Sequence, residues 1–326
     1  MSDIEKLVAY NNVRSYLTEK QQEELLNNLN LDKKNLKVRL RGLSVESEFY
    51  TIMHLLKSCK HILSFDESTS VLCKSYSPDC LLVLNDDSKI FVEIKSKEEF
   101  EYKISSGNLK KRIEFANNFG VKLYFAVKLK MYWGLFSSEF LISKKGKLKI
   151  PDDYRNSEFE KVFNSKSIIF PEGIEVKSYY SKCKDALLSI KHPKFGNLFK
   201  YEFFYNEKII FSVEKKNKND AIKSVVLELL HDAMNQQSKK IVPINKNENV
   251  IIRKLLHNTM CWDYQFLFAH VTHMKTDIGL RYDTTSYYKN LVKEKGKSHF
   301  TIELLFTVLK QLIDSKVPII VTLLRK

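Results

Sequence analysis

The stretch SPDCLLVLNDDSKIFVEIKSKEEF, residues 77–100, decides how this chain folds. It holds two short apolar runs, 79–84 and 89–96, joined by Asn-Asp-Asp-Ser at 85–88. That joint is turn chemistry, so the runs are expected to pair as an antiparallel hairpin. Charges stand where a buried strand carries Val or Ile: Asp79 heads the first run, and Glu93 and Lys95 lie inside the second. Side chains alternate faces along a strand. Ile90, Val92 and Ile94 then share a face suited to a core, while Phe91, Glu93 and Lys95 share the other. The turn sets the start of one strand across from the end of its partner, which brings Asp79 near Glu93 and Lys95.

Two carboxylates beside an ammonium suit hydrolysis of a phosphodiester. Carboxylate oxygens bind Mg²⁺, which also takes substrate phosphate. The metal lowers the pKa of a bound water and stabilises charge on the phosphate oxygens. A neighbouring lysine orients that water or meets the developing negative charge.

Ser-Pro-Asp at 77–79 followed by Glu-Ile-Lys at 93–95 resembles the motif of the PD-(D/E)XK, or restriction-endonuclease-like, nuclease superfamily. Pro78 matches the proline, Asp79 the aspartate, Glu93 the (D/E) position and Lys95 the lysine. A helix, strands, a second helix and a further strand follow in the family's order over roughly residues 40–142. The resemblance implies an α/β fold, with a restriction-endonuclease-like mixed sheet flanked by helices. It also implies that Asp79, Glu93 and Lys95 are catalytic. Asp79, Glu93 and the Ile94 carbonyl are the implied ligands for Mg²⁺, with Mn²⁺ able to substitute.

Many members add an acid from the preceding helix, where Glu46 and Glu48 compete. Glu48 is preferred, with Ile52 and Leu55 following at helical spacing. That helix is also similar to the corresponding one of transposon-end-cutting nucleases. The helix after the motif borders the site in this superfamily. Asn108, Lys110, Lys111 and Arg112 are therefore expected to contact DNA phosphate or to help position the lysine, and Lys97, one strand step past Lys95, joins them as a DNA contact.

Composition supports a polyanionic partner. The formal net charge is +15 over 326 residues, and phosphate neutralisation with counterion release favours nucleic acid. The same lysines also fit AT-rich coding. No apolar run reaches the roughly 18 residues that span a bilayer, and the start shows no apolar signal core. The five cysteines form no C-x-x-C pair, so a cytoplasmic setting is expected. His270-x-x-His273, with Cys261 and Asp263 nearby, sits in a mostly apolar segment and reads as core rather than metal site. No Walker or G-x-G-x-x-G loop is present.

Residues 143–157, polar and charged with Gly146 and Pro151, are the expected linker. The organisation is then a helical segment at 1–40, the nuclease-like domain at 41–150, and a C-terminal mixed α/β domain of unknown fold at 158–326. Helices are expected around 219–234, 249–261, 285–294 and 301–314, with a hairpin turning near Asn206. The reading is a metal-dependent DNA endonuclease of restriction, mobile-element or phage-related processing. Homodimerisation and a protein partner for the C-terminal domain are both compatible with it. The competing reading is a nucleic-acid-binding module whose nuclease fold is inactive.

Overall fold

The computed structural model describes residues 6, 9–10, 13–14, 17–30, 33–65, 76–187, 191–192, 194–214, 218–233, 238–269, 284–298 and 301–322. Two units separate along the chain: Met1–Ser165 with Lys275–Lys297, and Lys166–Met274 with Ser298–Lys326. No helix among the described residues is long and apolar enough to cross a membrane.

In the first unit, α1 (Glu19–Asn28) starts at a capping box. The Gln21 N–H donates to Thr18 Oγ1, and the Thr18 N–H donates to Gln21 Oε1. Helix α2 (Lys33–Leu55) runs unbroken through Gly42, where the sequence reading ended one segment and began another. One glycine costs about 1 kcal/mol in a helix. Burial of Val45, Phe49, Ile52 and Met53 on the following turns outweighs that. The unit continues with β1 (Cys59–Ser64), β2 (Cys80–Leu84), β3 (Lys89–Lys97), β4 (Glu101–Lys103), α3 (Ser106–Asn118) and β5 (Lys122–Leu129). Then come β6 (Tyr132–Ser137), α4 (Ser138–Ser143), β7 (Lys147–Lys149) and α5 (Phe159–Phe163).

Five of these strands form one mixed sheet in the order β1-β2-β3-β5-β6. The β3–β5 pair is parallel and the rest are antiparallel. The hairpin closes as its turn chemistry requires. The Leu84 N–H donates to the Ser88 carbonyl at 2.8 Å, Asp86 Oδ1 accepts the Ser88 N–H at 3.0 Å, and Asp87 takes a φ of 67°.

Helices cover both sheet faces. Leu109 and Ala116 of α3 pack with Phe91, Phe125, Val127 and Leu129 on one side. On the other, Phe49 of α2 meets Trp133 of β6. A central strand covered on both sides is buried throughout. The interior of β3 therefore disappears from solvent over Ile90–Ile94, Glu93 included, and not on the Ile90, Val92 and Ile94 side alone.

Residues 143–157, expected as a linker, are built into this unit. Strand β7 pairs with β4, Leu148 and Ile150 are buried, and Asp153 Oδ2 accepts the Lys149 N–H at 2.8 Å.

The second unit contains β8 (Ser167–Phe170), β9 (Ile174–Ser181), β10 (Lys191–His192), β11 (Gly196–Tyr205), β12 (Lys208–Val213) and α6 (Lys218–Ala233). It continues with β13 (Ser238–Pro243), β14 (Glu248–Lys254), β15 (Thr259–Trp262) and α7 (Asp263–Ala269). The chain then returns to the first unit for α8 (Thr284–Lys293) and ends in the second with α9 (Ile302–Asp314) and β16 (Ile320–Val321). A six-stranded antiparallel sheet runs β10-β11-β9-β14-β13, with β12 on β11, and a smaller one runs β15-β8-β16. The β11–β12 hairpin turns at Asn206 and Glu207, both with positive φ.

Residues 249–261 correct the helical expectation, since they form β14 and β15. Val250, Ile251 and Ile252 are β-branched in a row, which favours a strand. His270 and His273 lie outside the described residues. Asp263 is spent on structure: its Oδ2 accepts the Lys166 N–H at 2.7 Å, and its Oδ1 accepts the Tyr264 N–H at 2.8 Å.

Candidate active site

The register of β2 on β3 builds the site. Cys80 pairs with Val92, so Asp79 stands level with Glu93. Asp79 Oδ2 accepts the Ile94 N–H at 2.5 Å. Lys95 Nζ lies 3.4 Å from that oxygen and 2.7 Å from Glu93 Oε1. Glu93 is fully buried and Asp79 is 7 % exposed, while the Lys95 side chain is 31 % exposed. The ammonium is thus the most solvent-facing of the three groups.

Arg112 approaches from α3, its Nε 2.7 Å from Glu93 Oε1. It stands among the residues expected to contact phosphate or to help position the lysine. In the structure it is an inward residue, because Leu109, Arg112 and Ala116 share one helix face and both apolar members are buried. That spacing is the signal that would have found it. Glu93 Oε2 is buried with no hydrogen-bond partner among the described residues.

The electrostatics follow from this crowding. Burial and the Glu93 charge push the Asp79 carboxyl up to about 7, and Glu46 adds to the rise. Lys95 and the Ile94 N–H pull the other way without cancelling it. Burial opposes charge on Lys95, but Asp79 and Glu93 hold its pKa above the ordinary lysine value.

The structure places the two α2 glutamates differently. Glu48, the preferred candidate, is held elsewhere: both its oxygens meet Lys128 Nζ, at 2.6 and 2.5 Å, and Oε1 accepts the Trp133 Nε1–H at 2.9 Å. Lys128 and Trp133 are cross-strand partners on β5 and β6. Lys128 alternates with Val127 and Leu129, so it emerges on the sheet face opposite Glu93. Glu46 is the helix acid whose charge reaches Asp79. One turn on, the Tyr50 hydroxyl donates to the Asp79 main-chain carbonyl at 3.4 Å. Glu48→Gln is expected to cost about 1–3 kcal/mol of stability in thermal melts. Glu46→Gln is expected to weaken the binding of a divalent cation, read by calorimetry, while Glu48→Gln leaves that binding unchanged. The reverse pattern would restore Glu48 to the site.

Lys97, Asn108, Lys110 and Lys111 are exposed around this centre. Lys111 Nζ sits 4.5 Å from the centroid of the Tyr76 ring, just upstream of Pro78. Asp66 and Glu67 lie outside the described residues.

Among the described residues, no group of three or more His, Cys, Asp or Glu side chains is arranged as a metal cluster. The set is two carboxylates converging on Lys95. Its chemistry still fits a hard divalent cation. The donors are oxygens, and one buried carboxylate oxygen lacks a hydrogen-bond partner among the described residues.

The mixed sheet with helices on both faces, together with the Pro78-Asp79 and Glu93-Ile94-Lys95 placement, is the arrangement expected of a restriction-endonuclease-like, PD-(D/E)XK domain. More narrowly, residues 37–168 match the family model described as archaeal Holliday junction resolvase (hjc), a match spanning less than half of the chain. Among solved structures, the chain is similar to Hjc of Archaeoglobus fulgidus, a Holliday junction resolvase from an archaeal hyperthermophile. That likeness is 23 % identity over 26 % of this chain and 69 % of that one, with a TM-score of 0.23. No curated protein matches the chain.

Proposed function

We propose that this chain is a divalent-metal-dependent DNA endonuclease acting on branched DNA such as four-way junctions. The observation that carries the reading is the convergence of Asp79, Glu93 and Lys95 at 2.7–3.4 Å, with a buried carboxylate oxygen left unpartnered. The match of residues 37–168 to the resolvase family supports branched DNA as the substrate.

Asp79, Glu93 and the Ile94 carbonyl would hold Mg²⁺ or Mn²⁺, with Glu46 as the helix acid in place of Glu48. When bound, the metal supplies an activated water and neutralises charge on the scissile phosphate. The Ile94 N–H fixes one Asp79 oxygen, which leaves the other to turn outward. Arg112 fixes Glu93 Oε1 and so aims Oε2. Lys95 presents an ammonium to solvent, where it donates to the attacking water or to a phosphate oxygen. Lys97, Asn108, Lys110 and Lys111 would take flanking phosphates. A second copy of the chain would supply the second cut of a symmetric junction. Residues 158–326 would add DNA binding or assembly.

The test is incubation with a synthetic four-way junction, the matching linear duplex and supercoiled plasmid, in Mg²⁺, Mn²⁺ or EDTA. Metal-dependent nicking with the junction preferred is the expected result. Equal cutting of junction and duplex would remove the branched substrate, and binding without cutting in every metal would favour an inactive, DNA-binding fold.

A further inference from the structure

Strand β4 follows the motif strand and pairs with β7 in a two-stranded ribbon whose register is Glu101↔Lys149, Tyr102↔Leu148 and Lys103↔Lys147. Tyr102 and Leu148 are buried, so the residues on either side of each point the opposite way, outward. The outer face therefore carries Glu101, Lys103, Lys147 and Lys149, all exposed. Glu101 faces Lys149 and offsets it. Lys103 and Lys147 face each other with no carboxylate between them, and among the described residues neither is ion-paired. Like charges directly opposite in a ladder are destabilising. Lys145, also exposed, adds a third positive charge at the same end, where the Ile104 N–H donates to the Gly146 carbonyl at 2.9 Å.

Two residues after Lys103 the chain enters α3. Ser105 caps it, Ser106, Gly107 and Asn108 are exposed, and the first turn holds no acidic residue. A helix start of this kind favours an anion. Both features border the active centre. Tyr102, on the ribbon's inner face, lies within the field of Lys95, Glu93, Arg112 and Asp79; burial, with Glu93 and Asp79, pushes its hydroxyl up to about 12, while Lys95 and Arg112 pull it down. Helix α3 carries Arg112 to Glu93.

We propose that the opposed Lys103–Lys147 pair, with Lys145 and the start of α3, is a clamp for the DNA backbone beside the cut. It grips a phosphate of the same duplex whose scissile phosphate lies at Asp79 and Glu93. The clamp rests on the nuclease reading and adds its route for the substrate strand. A phosphate seated between the two ammonium groups would relieve the repulsion that the ribbon otherwise carries.

The experiment measures binding of a short labelled DNA duplex to the full chain in EDTA across a series of salt concentrations. The variants are Lys103→Gln/Lys147→Gln, the charge-keeping Lys103→Arg/Lys147→Arg, and Lys20→Gln/Lys161→Gln as a control that removes the same charge elsewhere. Each phosphate contact contributes about 0.9 to the slope of log affinity against log salt. The glutamine pair is expected to lower that slope by about 1–2 and to weaken binding roughly tenfold at moderate salt. Its thermal midpoint should be no lower than that of the parent, since a repulsion is removed. The arginine pair and the control should keep the parent slope. An unchanged slope in the glutamine pair, or an equal fall in the control, overturns the clamp. If the parent meanwhile nicks DNA with Mg²⁺, the nuclease reading survives that failure, and a parent that binds no DNA overturns both.

Discussion

Asp79→Asn is expected to stabilise the metal-free protein above pH 7 while abolishing its stabilisation by Mg²⁺. The folded carboxyl ionises near 7, against 3.8 ordinarily, because it is buried beside Glu93. Below the ordinary value both folded and unfolded states hold the proton, so Asp79 costs nothing. Between the two values the unfolded chain has lost a proton that the folded one keeps, and stability falls as pH rises. Above about 7 the whole cost is present. The asparagine cannot ionise, so its advantage should grow from near zero at pH 4 to on the order of 1–3 kcal/mol at pH 8.

Mg²⁺ is expected to offset that cost in the parent alone, because a ligand at 100 times its dissociation constant adds about 2.7 kcal/mol. Paired thermal melts at pH 5 and pH 8, with and without Mg²⁺, read both effects. A less stable variant at pH 8, or equal Mg²⁺ stabilisation of the two proteins, contradicts the site as described.

Glu228→Ala is the substitution expected to damage the second unit most. Glu228 of α6 is buried against the large sheet. Its Oε2 accepts the Ser178 hydroxyl at 2.6 Å, and its Oε1 accepts the Tyr180 hydroxyl at 2.9 Å. Arg253 Nη1 of β14 lies 2.7 Å from the same Oε1. Alanine would take from Arg253, itself 6 % exposed, the carboxylate that its Nη1 meets at 2.7 Å. Breaking a buried pair from one side costs about 3–5 kcal/mol, whereas replacing both members by apolar groups costs far less. Chemical denaturation of Glu228→Ala and of Glu228→Leu/Arg253→Met measures this. A loss below about 1 kcal/mol in the single variant would show that Arg253 finds another partner.

The hairpin and the trio were legible because local rules determine them. Asn-Asp-Asp-Ser fixes the turn, and the period of two fixes which charges share a face. The register of Cys80 on Val92 then follows from the turn length. The α2 acid was not legible. Both glutamates lie on one continuous helix, and what removes Glu48 from the site is Lys128 and Trp133, 80 or more residues away. Arg112 was legible only as one of four helix residues that contact phosphate or help position the lysine. Its helix is polar enough to pass for a solvated face, and only the Leu109 and Ala116 spacing marks the inward side. Residues 249–261 failed on ambiguity of period, since a short apolar run suits either element until its partner strands are known. The return of α8 (Thr284–Lys293) to the first unit depends on contacts with α2 that no local pattern encodes.

Cleavage of a four-way junction and of supercoiled DNA by the parent, Asp79→Ala and Lys95→Ala is the direct test of the central claim. The expected result is Mg²⁺-dependent cutting by the parent that stops with EDTA. In each variant, cutting should fall on the order of 10²–10³-fold or more. Metal-dependent cutting that survives both substitutions would contradict the assignment of Asp79, Glu93 and Lys95 as the active centre.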